Sequence, residues 1–279
     1  MSQKSYDNTP SVYLIPTPIG NMDDITLRAI NILKQVEVIF SEDTRVTGLL
    51  LQHLNIKKKL ISSHNYNETN NIVKMFKYLE DGHDVGIVTD RGTPIISDPG
   101  YGLAKAAIDN GYNVIGLPGP TALISALITS GLSPLPFTFY GFLNSRSSKR
   151  RKELEKLKNL LPTMIFYESP KRLLDTLSDM KDILGNRKIS ISREISKRYE
   201  EIYRGNIENV IFELVEPRGE FVIVVEGSTE EIKEDGESIV EHVNSLIESG
   251  LSSKDAIREV AKIRNLNKNE VYQKFLRGE

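Results

Sequence analysis

Residues 85–126 read VGIVTDRGTPIISDPGYGLAKAAIDNGYNVIGLPGPTALISA, and both loops in the stretch are crowded with Gly, Pro, Ser, Thr and Asp. Asp90 follows the apolar run Val85 to Val88, and Thr121 follows Val114 to Leu117 and the turn Pro118-Gly119-Pro120. Ligands of open α/β sheets settle outside the carboxyl ends of strands, so a carboxylate and a hydroxyl at two such ends can hold a polar molecule. Asp90 can accept hydrogen bonds from a ribose or an amine, while the turns let a ligand approach the backbone. The plainer alternative is that Asp90, Asp98 and Thr121 only cap tight βα turns. Ser41-Glu42-Asp43-Thr44-Arg45 ends another apolar run and shares the crevice if the two strands are neighbours. Otherwise Asp43 or Thr44 caps the next helix, with Glu42 beside it. His64-Asn65 sits at a further strand end, where a lone histidine is more often structural.

The second half of the chain offers charged groups of another kind. Tyr167-Glu168-Ser169-Pro170-Lys171-Arg172 and Arg193-Glu194 end strands, and an Arg–Glu pair there reads first as a buried structural bridge. Arg146, Lys149, Arg150, Arg151 and Lys152 lie among serines with no acid in the run. Such a run is a solvated loop by default, and a phosphate-contacting one if the substrate is a nucleic acid.

The elements that must position these groups alternate along the chain. Strands are expected at Ser11 to Ile15, Val36 to Phe40 and Val85 to Val88, and again at Val114 to Leu117. Between them lie helices marked by stripes such as Ile72, Met75, Phe76 and Leu79. Alternation of this kind means βαβ units and a mostly parallel sheet. The first helix can be capped by Asp23 or Asp24. A Pro-rich joint at Leu132 to Pro136 suggests a boundary, after which Phe137 to Phe142, Thr163 to Tyr167, Lys188 to Ile191 and Phe221 to Val225 are strands. Residues 1–10 are therefore expected to be a flexible tail, 11–131 an N-terminal α/β domain and 132–227 a second α/β domain. Residues 228–279 are expected to hold an acidic linker and a C-terminal helical unit resembling a helix-turn-helix, with Ser252 or Ser253 and Asn267 as caps.

Composition narrows the chemistry. With 279 residues, 39% hydrophobic and 27% charged, the chain can bury sizeable cores. A net charge of −2 gives no global attraction to nucleic acid, so any such role needs a local patch. There is no cysteine, and the four histidines have no zinc-type spacing. Neither a GxGxxG nor a Walker pattern is present. A polar N-terminus and the lack of a long apolar run lead us to expect a soluble cytoplasmic protein without a membrane partner.

The motifs LIPTPIGNMDDITLRAI, SEDTR, TDRGTPIISDPGYGL, GLPGPTALISAL, IFYESPKR and GEFVIVVEG together resemble the ribosomal RNA small subunit methyltransferase I family. That family is a branch of the tetrapyrrole-methylase-like, class III S-adenosylmethionine (SAM) methyltransferases. The resemblance runs from about Val12 to Gly227 and includes the tail. It implies two α/β domains with mixed, mostly parallel sheets plus a small C-terminal helical unit, usually as a homodimer with SAM in the cleft between domains. It implies transfer of a methyl group to the ribose 2′-hydroxyl of a cytidine in the decoding region of 16S rRNA, the partner being that rRNA or the small ribosomal subunit. Carried over residue by residue, the SAM contacts fall on Ile19, Asp90, Thr93, Thr121 and Ala122. Tyr167, and the stretch from Glu194 to Lys197, would face the ligand from the second domain. The first loop departs from tetrapyrrole methylases, which carry a glycine-rich turn where this chain has Pro16-Thr17-Pro18-Ile19-Gly20; that favours the RNA branch over a porphyrinoid substrate.

The implied reaction is an in-line displacement on an already activated methyl group, which needs no metal. The enzyme must align the 2′-oxygen and ease the loss of its proton. Glu42, Asp43 and Arg45 are the expected catalytic group, with Arg45 stabilising charge or gripping a phosphate; His64, Glu168 and Lys171 are alternatives. The competing functions are a small-molecule SAM methylase and a non-catalytic RNA-binding module.

Overall fold

The structure is a computed structural model and describes residues 3–5, 7–64, 68–214, 217–228, 239–263 and 266–278. Asn65, Asn265 and residues 229–238 of the expected acidic linker lie outside the described residues. The chain divides into two compact units, Met1–Gly227 and Ser228–Glu279.

Five short strands open the first unit: β1 (Ser11–Leu14), β2 (Val38–Ser41), β3 (Lys59–Ser62), β4 (Val85–Val88) and β5 (Asn113–Gly116). They pair in the order β3-β2-β4-β1-β5, every pair parallel. Their connections are α1 (Leu27–Gln35), α2 (Thr44–His53), α3 (Glu68–Glu80) and α4 (Tyr101–Asp109). Both faces are covered, which is why β2 and β4 are buried along their whole length instead of alternating. Tyr13, Ile39 and Ile115 pack with Leu33 of α1 and Leu51 of α2 on one face. Val12, Val38, Phe40 and Ile87 pack with Met75 and Leu79 of α3 and Leu103 of α4 on the other. Each such fully buried aliphatic or aromatic side chain contributes about 1.5–3 kcal/mol. Because β4 enters between β2 and β1, the loops after β1, β2 and β4 open side by side. Neither Asp23 nor Asp24 caps α1. Both sit in a one-turn 3-10 helix begun by Asn21, and the hydroxyl of Thr26 accepts the Ala29 N–H at 3.1 Å instead.

The second sheet contains β6 (Phe137–Phe142), β7 (Thr163–Glu168), β8 (Lys188–Arg193), β9 (Glu201–Asn206) and β10 (Phe221–Val225) in the order β6-β7-β10-β8-β9. Only β6 and β7 run parallel; the other three pairs are antiparallel. One face packs on α6 (Ser147–Leu157), α7 (Leu173–Leu184) and α8 (Ile207–Glu213) through a core that includes Leu154, Phe166, Leu177, Met180 and Val210. The other face receives α5 (Ala122–Thr129), whose Ala126 and Leu127 bury against Ile165, Val222 and Val224. Helix α5 begins in the loop after β5, so the strand-end loop of one sheet runs straight into the packing of the other.

Among the described residues the second unit holds three helices, α9 (Ile239–Glu248), α10 (Ser253–Ile263) and α11 (Lys268–Arg277), around Val243, Ala256, Ile257, Val260 and Val271. The hydroxyl of Ser252 caps α10 and the side chain of Asn267 caps α11. Helix α9 is not marked by the sequence pattern. Its apolar positions Ile239, Val243 and Leu246 follow an acidic stretch whose composition hides where the helix begins.

Candidate functional site

The loops after β1 and β4 are stitched to each other. Thr17 and Gly92 exchange backbone hydrogen bonds of 2.9 and 3.0 Å, and the Thr17 hydroxyl donates to the Thr89 carbonyl at 3.2 Å. Gly92 has φ +84, a conformation that favours glycine, and a Cβ there would press on the Ile19 side chain. The loop after β5 closes over them. A Cβ on Gly119 would lie 2.5 Å from Pro16, so only glycine allows that approach, and the Thr93 hydroxyl donates to the Pro120 carbonyl at 3.2 Å. The chain from β4 to α4 then turns through Ile95 and Ser97 at φ 77 and 68. A β-branched residue in the left-handed region is strained, and such strain collects at ligand-binding loops.

Facing these loops is the end of β7 and the start of β10. Tyr167 is wedged edge-on between Phe139 and Phe142, at ring-centre distances of 4.9 and 5.6 Å. Burial pushes its phenol upward, against hydrogen bonds from the Thr121 hydroxyl and the Leu123 backbone. Between the two walls lies a cavity of about 320 Å³ whose lining includes Ile19, Thr93, Asp98, Thr121, Ala122 and Tyr167. Its rim is tied across the walls by an ion pair between Arg91 and Glu220, and Lys197 holds both Glu220 at 3.0 Å and Glu194 at 2.8 Å. Glu194 and Ser196, in the loop that carries the lining residue Ile195, also have positive φ, 52 and 68.

Of the residues expected at a cofactor site, the structure brings Ile19, Thr93, Thr121, Ala122 and Tyr167 to this one cavity. Asp90 stands beside it. Its carboxylate accepts the Asp43 N–H at 2.9 Å; burial raises its pKa, and Glu42 and Asp43 add to that against the hydrogen bond. The expected catalytic group does not line the cavity. Glu42 accepts the Thr89 hydroxyl at 2.8 Å, locking the ends of β2 and β4 together. Asp43 is the N-cap of α2 and pairs with Arg45 at 2.6 Å. The Arg45 guanidinium and backbone N–H hold the Asp43 carboxyl down to about 2, too weak a base for a hydroxyl at neutral pH. Arg45 itself is 88% exposed at the side chain.

The alternatives fall in different places. His64 and Lys171 are exposed. Glu168 is a buried structural bridge: its carboxylate takes Arg172 at 2.6 Å, the Ser169 N–H at 2.7 Å and the Thr176 hydroxyl at 2.8 Å. The basic run is not a loop, because α6 begins at Ser147. Arg150 is buried, 3% exposed, and pairs with Asp179 of α7 at 2.6 Å; Arg151 spans Asp179 and Asp182 at 2.7 and 2.9 Å. Those two cations are engaged by acids on α7, whereas Arg146, Lys149 and Lys152 are exposed. Sequence reasoning misses several lining residues, among them Asp98, which reads only as a turn cap, and Phe142, 52% exposed at the cavity, which reads only as part of an aromatic strand.

A family model described as Tetrapyrrole (Corrin/Porphyrin) Methylases matches residues 11–211. The chain is 46% identical over 272 residues to the ribosomal RNA small subunit methyltransferase I of Bacillus subtilis, covering 95% of this chain and 93% of that protein. It is 44% identical to the protein of that name from Halalkalibacterium halodurans, covering 97% of each, and 40% identical to the one from Synechocystis, covering 94% and 96%. Among solved structures, the methyltransferase CobJ superposes with a TM-score of 0.59 at 19% identity, over 80% of this chain and 96% of that one. The uroporphyrin-III C-methyltransferase of Thermus thermophilus, complexed with S-adenosyl homocysteine, gives 0.56 at 18% identity, over 77% and 97%. At those identities the likeness is one of fold.

Proposed function

The chain belongs to the ribosomal RNA small subunit methyltransferase I family of the tetrapyrrole-methylase fold, and from that premise we propose that it methylates, from SAM, the ribose 2′-hydroxyl of a cytidine in the decoding region of 16S rRNA. The observation that carries the reading is the cavity. Residues from the ends of β1, β4 and β5 form one wall, and β7 with β10 forms the other. About 320 Å³ lies within the range of small-molecule sites, and apolar lining with a few convergent hydroxyls is the composition such sites have.

SAM fits this donor set. Thr93, Thr121 and the backbone around Gly92 offer hydrogen bonds, Ile19 and Ala122 offer apolar contact, and Tyr167 is fixed by two rings so that its hydroxyl keeps one place. When bound, SAM supplies a methyl group already activated by a positive sulfur. What remains for the protein is to align the acceptor oxygen and remove its proton. Phe142 presents a half-exposed ring beside the cavity, a surface on which an unstacked base can lie. Exposed Arg146, Lys149 and Lys152 supply phosphate contacts, and the hollow on the C-terminal helices lined by Lys254, Lys268 and Tyr272 adds a second basic surface. The working form is a homodimer, which sedimentation equilibrium tests.

The RNA substrate is favoured over a porphyrinoid one because the relatives at 40–46% identity carry the rRNA methyltransferase name, while the porphyrin enzymes match at 18–19%. Incubation with labelled SAM and small ribosomal subunits lacking the modification should place label at a single cytidine, whose 3′ linkage then resists alkali. Absence of label from the rRNA refutes the reading, and label on a base atom refutes the 2′-O assignment.

A further inference from the structure

Three carboxylates line the cavity among the described residues: Asp98, Glu168 and Glu220. Glu168 is spent on Arg172, and Glu220 on Arg91 and Lys197. Among the described residues Asp98 has no cation partner; its hydrogen-bonding neighbour is the Thr89 hydroxyl, whose single proton Glu42 also draws on at 2.8 Å. It follows Ser97, one of the two strained residues, so the β4–α4 loop is held in a conformation that turns this carboxylate to the cavity wall. Across the cavity stands Tyr167, whose phenol feels the Asp98 charge.

We propose that Asp98 is the general base of the methyl transfer, accepting the proton of the ribose 2′-hydroxyl as that oxygen acquires the methyl group. The inference rests on the function proposed above and gives it a proton acceptor. The bookkeeping is closed: the O–H bond breaks toward Asp98, an oxygen lone pair forms the new O–CH3 bond, and the carbon–sulfur pair leaves with sulfur as a neutral thioether. The protonated carboxyl then loses its proton to solvent, which reaches the partly exposed side chain.

The surroundings of Asp98 suit that task. Burial, together with the charges of Glu42 and Asp90 at the neighbouring strand ends, pushes its carboxyl up to about 6, against the Thr89 hydrogen bond. A base of that strength is ionised at neutral pH yet accepts a proton more readily than an ordinary aspartate. The groups around it are Glu42 from the end of β2, Asp90 and Thr89 from the end of β4, and Tyr167 from β7. Arg91 and Glu220, joined to each other, stand at the rim.

The test is single-turnover methyl transfer to unmodified small subunits from about pH 5 to about pH 8.5, with wild type, Asp98→Asn and Asp98→Glu. S-adenosylhomocysteine affinity is measured by calorimetry in parallel. Wild type should slow as pH falls through about 6. Asp98→Asn should be slower by about 10²–10⁴-fold at neutral pH and lose that limb, while its S-adenosylhomocysteine affinity stays within about threefold of wild type. Asp98→Glu should recover part of the rate. An Asp98→Asn enzyme that keeps the rate and the acid limb overturns the role, as does a deficit that disappears once SAM is saturating. A wild type that labels no ribose sinks the function and this role together, whereas a wild type that does so beside a fully active Asp98→Asn sinks only the role. If a variant does not fold, carbon-13 titration of the Asp98 carboxyl in wild type decides: its midpoint must coincide with the kinetic limb, and a gap above about one pH unit overturns the assignment.

Discussion

At the level of single residues, Asp98 and Asp43 look alike in the sequence, each an aspartate just before a helix, yet the fold drives them in opposite directions. Asp98 is held near 6 by burial and like charges, Asp43 near 2 by Arg45. A raised carboxyl favours the folded state only while protonated, so the Asp98 contribution is intact below about pH 4 and is lost as pH rises through about 6. Asp98→Asn should therefore be neutral at low pH and stabilising at pH 8. Taken whole, the shift is worth about 3 kcal/mol; discounted for solvent screening of a partly exposed group it is about 1 kcal/mol. Thermal unfolding at a series of pH values checks this, and a gain independent of pH would contradict it. Asp43 has the reverse sign. Its contribution is present above about pH 4 and lost as pH falls toward 2. Asp43→Asn should thus lower Tm at pH 7 while leaving methyl transfer within about threefold, because the side chain serves the start of α2 and not the cavity. A fall of a hundredfold would restore Asp43 to the reacting centre. Sequence could not separate the two aspartates, since what distinguishes them is depth in a crevice formed by strands distant along the chain.

Elements show the same division between what patterning reveals and what pairing adds. The parallel sheet was legible because β2, β4 and their neighbours are uninterrupted apolar runs separated by amphipathic helices. The direction of β8 and β10 was not, because Lys188 to Ile191 and Phe221 to Val225 would read identically in either orientation. The basic run on α6 misled for a related reason. Its partner acids, Asp179 and Asp182, lie on α7, 28 to 31 residues along the chain, where no local window sees them. Burial raises the Asp179 carboxyl, but Arg151, Arg150 and Ser147 outweigh it and hold it low. Removing Asp179 leaves the Arg150 guanidinium buried without its counter-ion. Asp179→Ala should therefore cost about 3–5 kcal/mol, read from urea unfolding, and adding Arg150→Met should return part of the loss. Arg146→Ala and Lys149→Ala, on the exposed side of the same helix start, should shift stability by less than about 0.5 kcal/mol. Equal losses for all three single variants would mean that α6 docks on α7 by something other than this ion pair.

For the whole molecule, the question is how a chain of net charge −2 would hold the polyanion proposed as its substrate. Global attraction is absent, so affinity must come from a local set of cations, and the structure sorts those available. Arg150, Arg151, Arg172 and Arg193 are tied to carboxylates, whereas Arg146, Lys149 and Lys152 are exposed together at the start of α6. Each phosphate contact releases counterions and steepens the fall of log K with log salt by about 0.7–0.9. Replacing those three by alanine should therefore lower the slope for unmodified small subunits by about 2–3, leaving S-adenosylhomocysteine affinity unchanged. The two readouts are separable because none of the three side chains lines the cavity. Filter binding between about 50 and 300 mM salt measures the slope. An unchanged slope would remove this helix start from the rRNA contact and shift attention to Lys254, Lys268 and their neighbours on the C-terminal helices. A slope reduced together with S-adenosylhomocysteine affinity would instead mean that the substitutions disturb the first unit as a whole, since the cavity and the α6–α7 packing belong to one compact body.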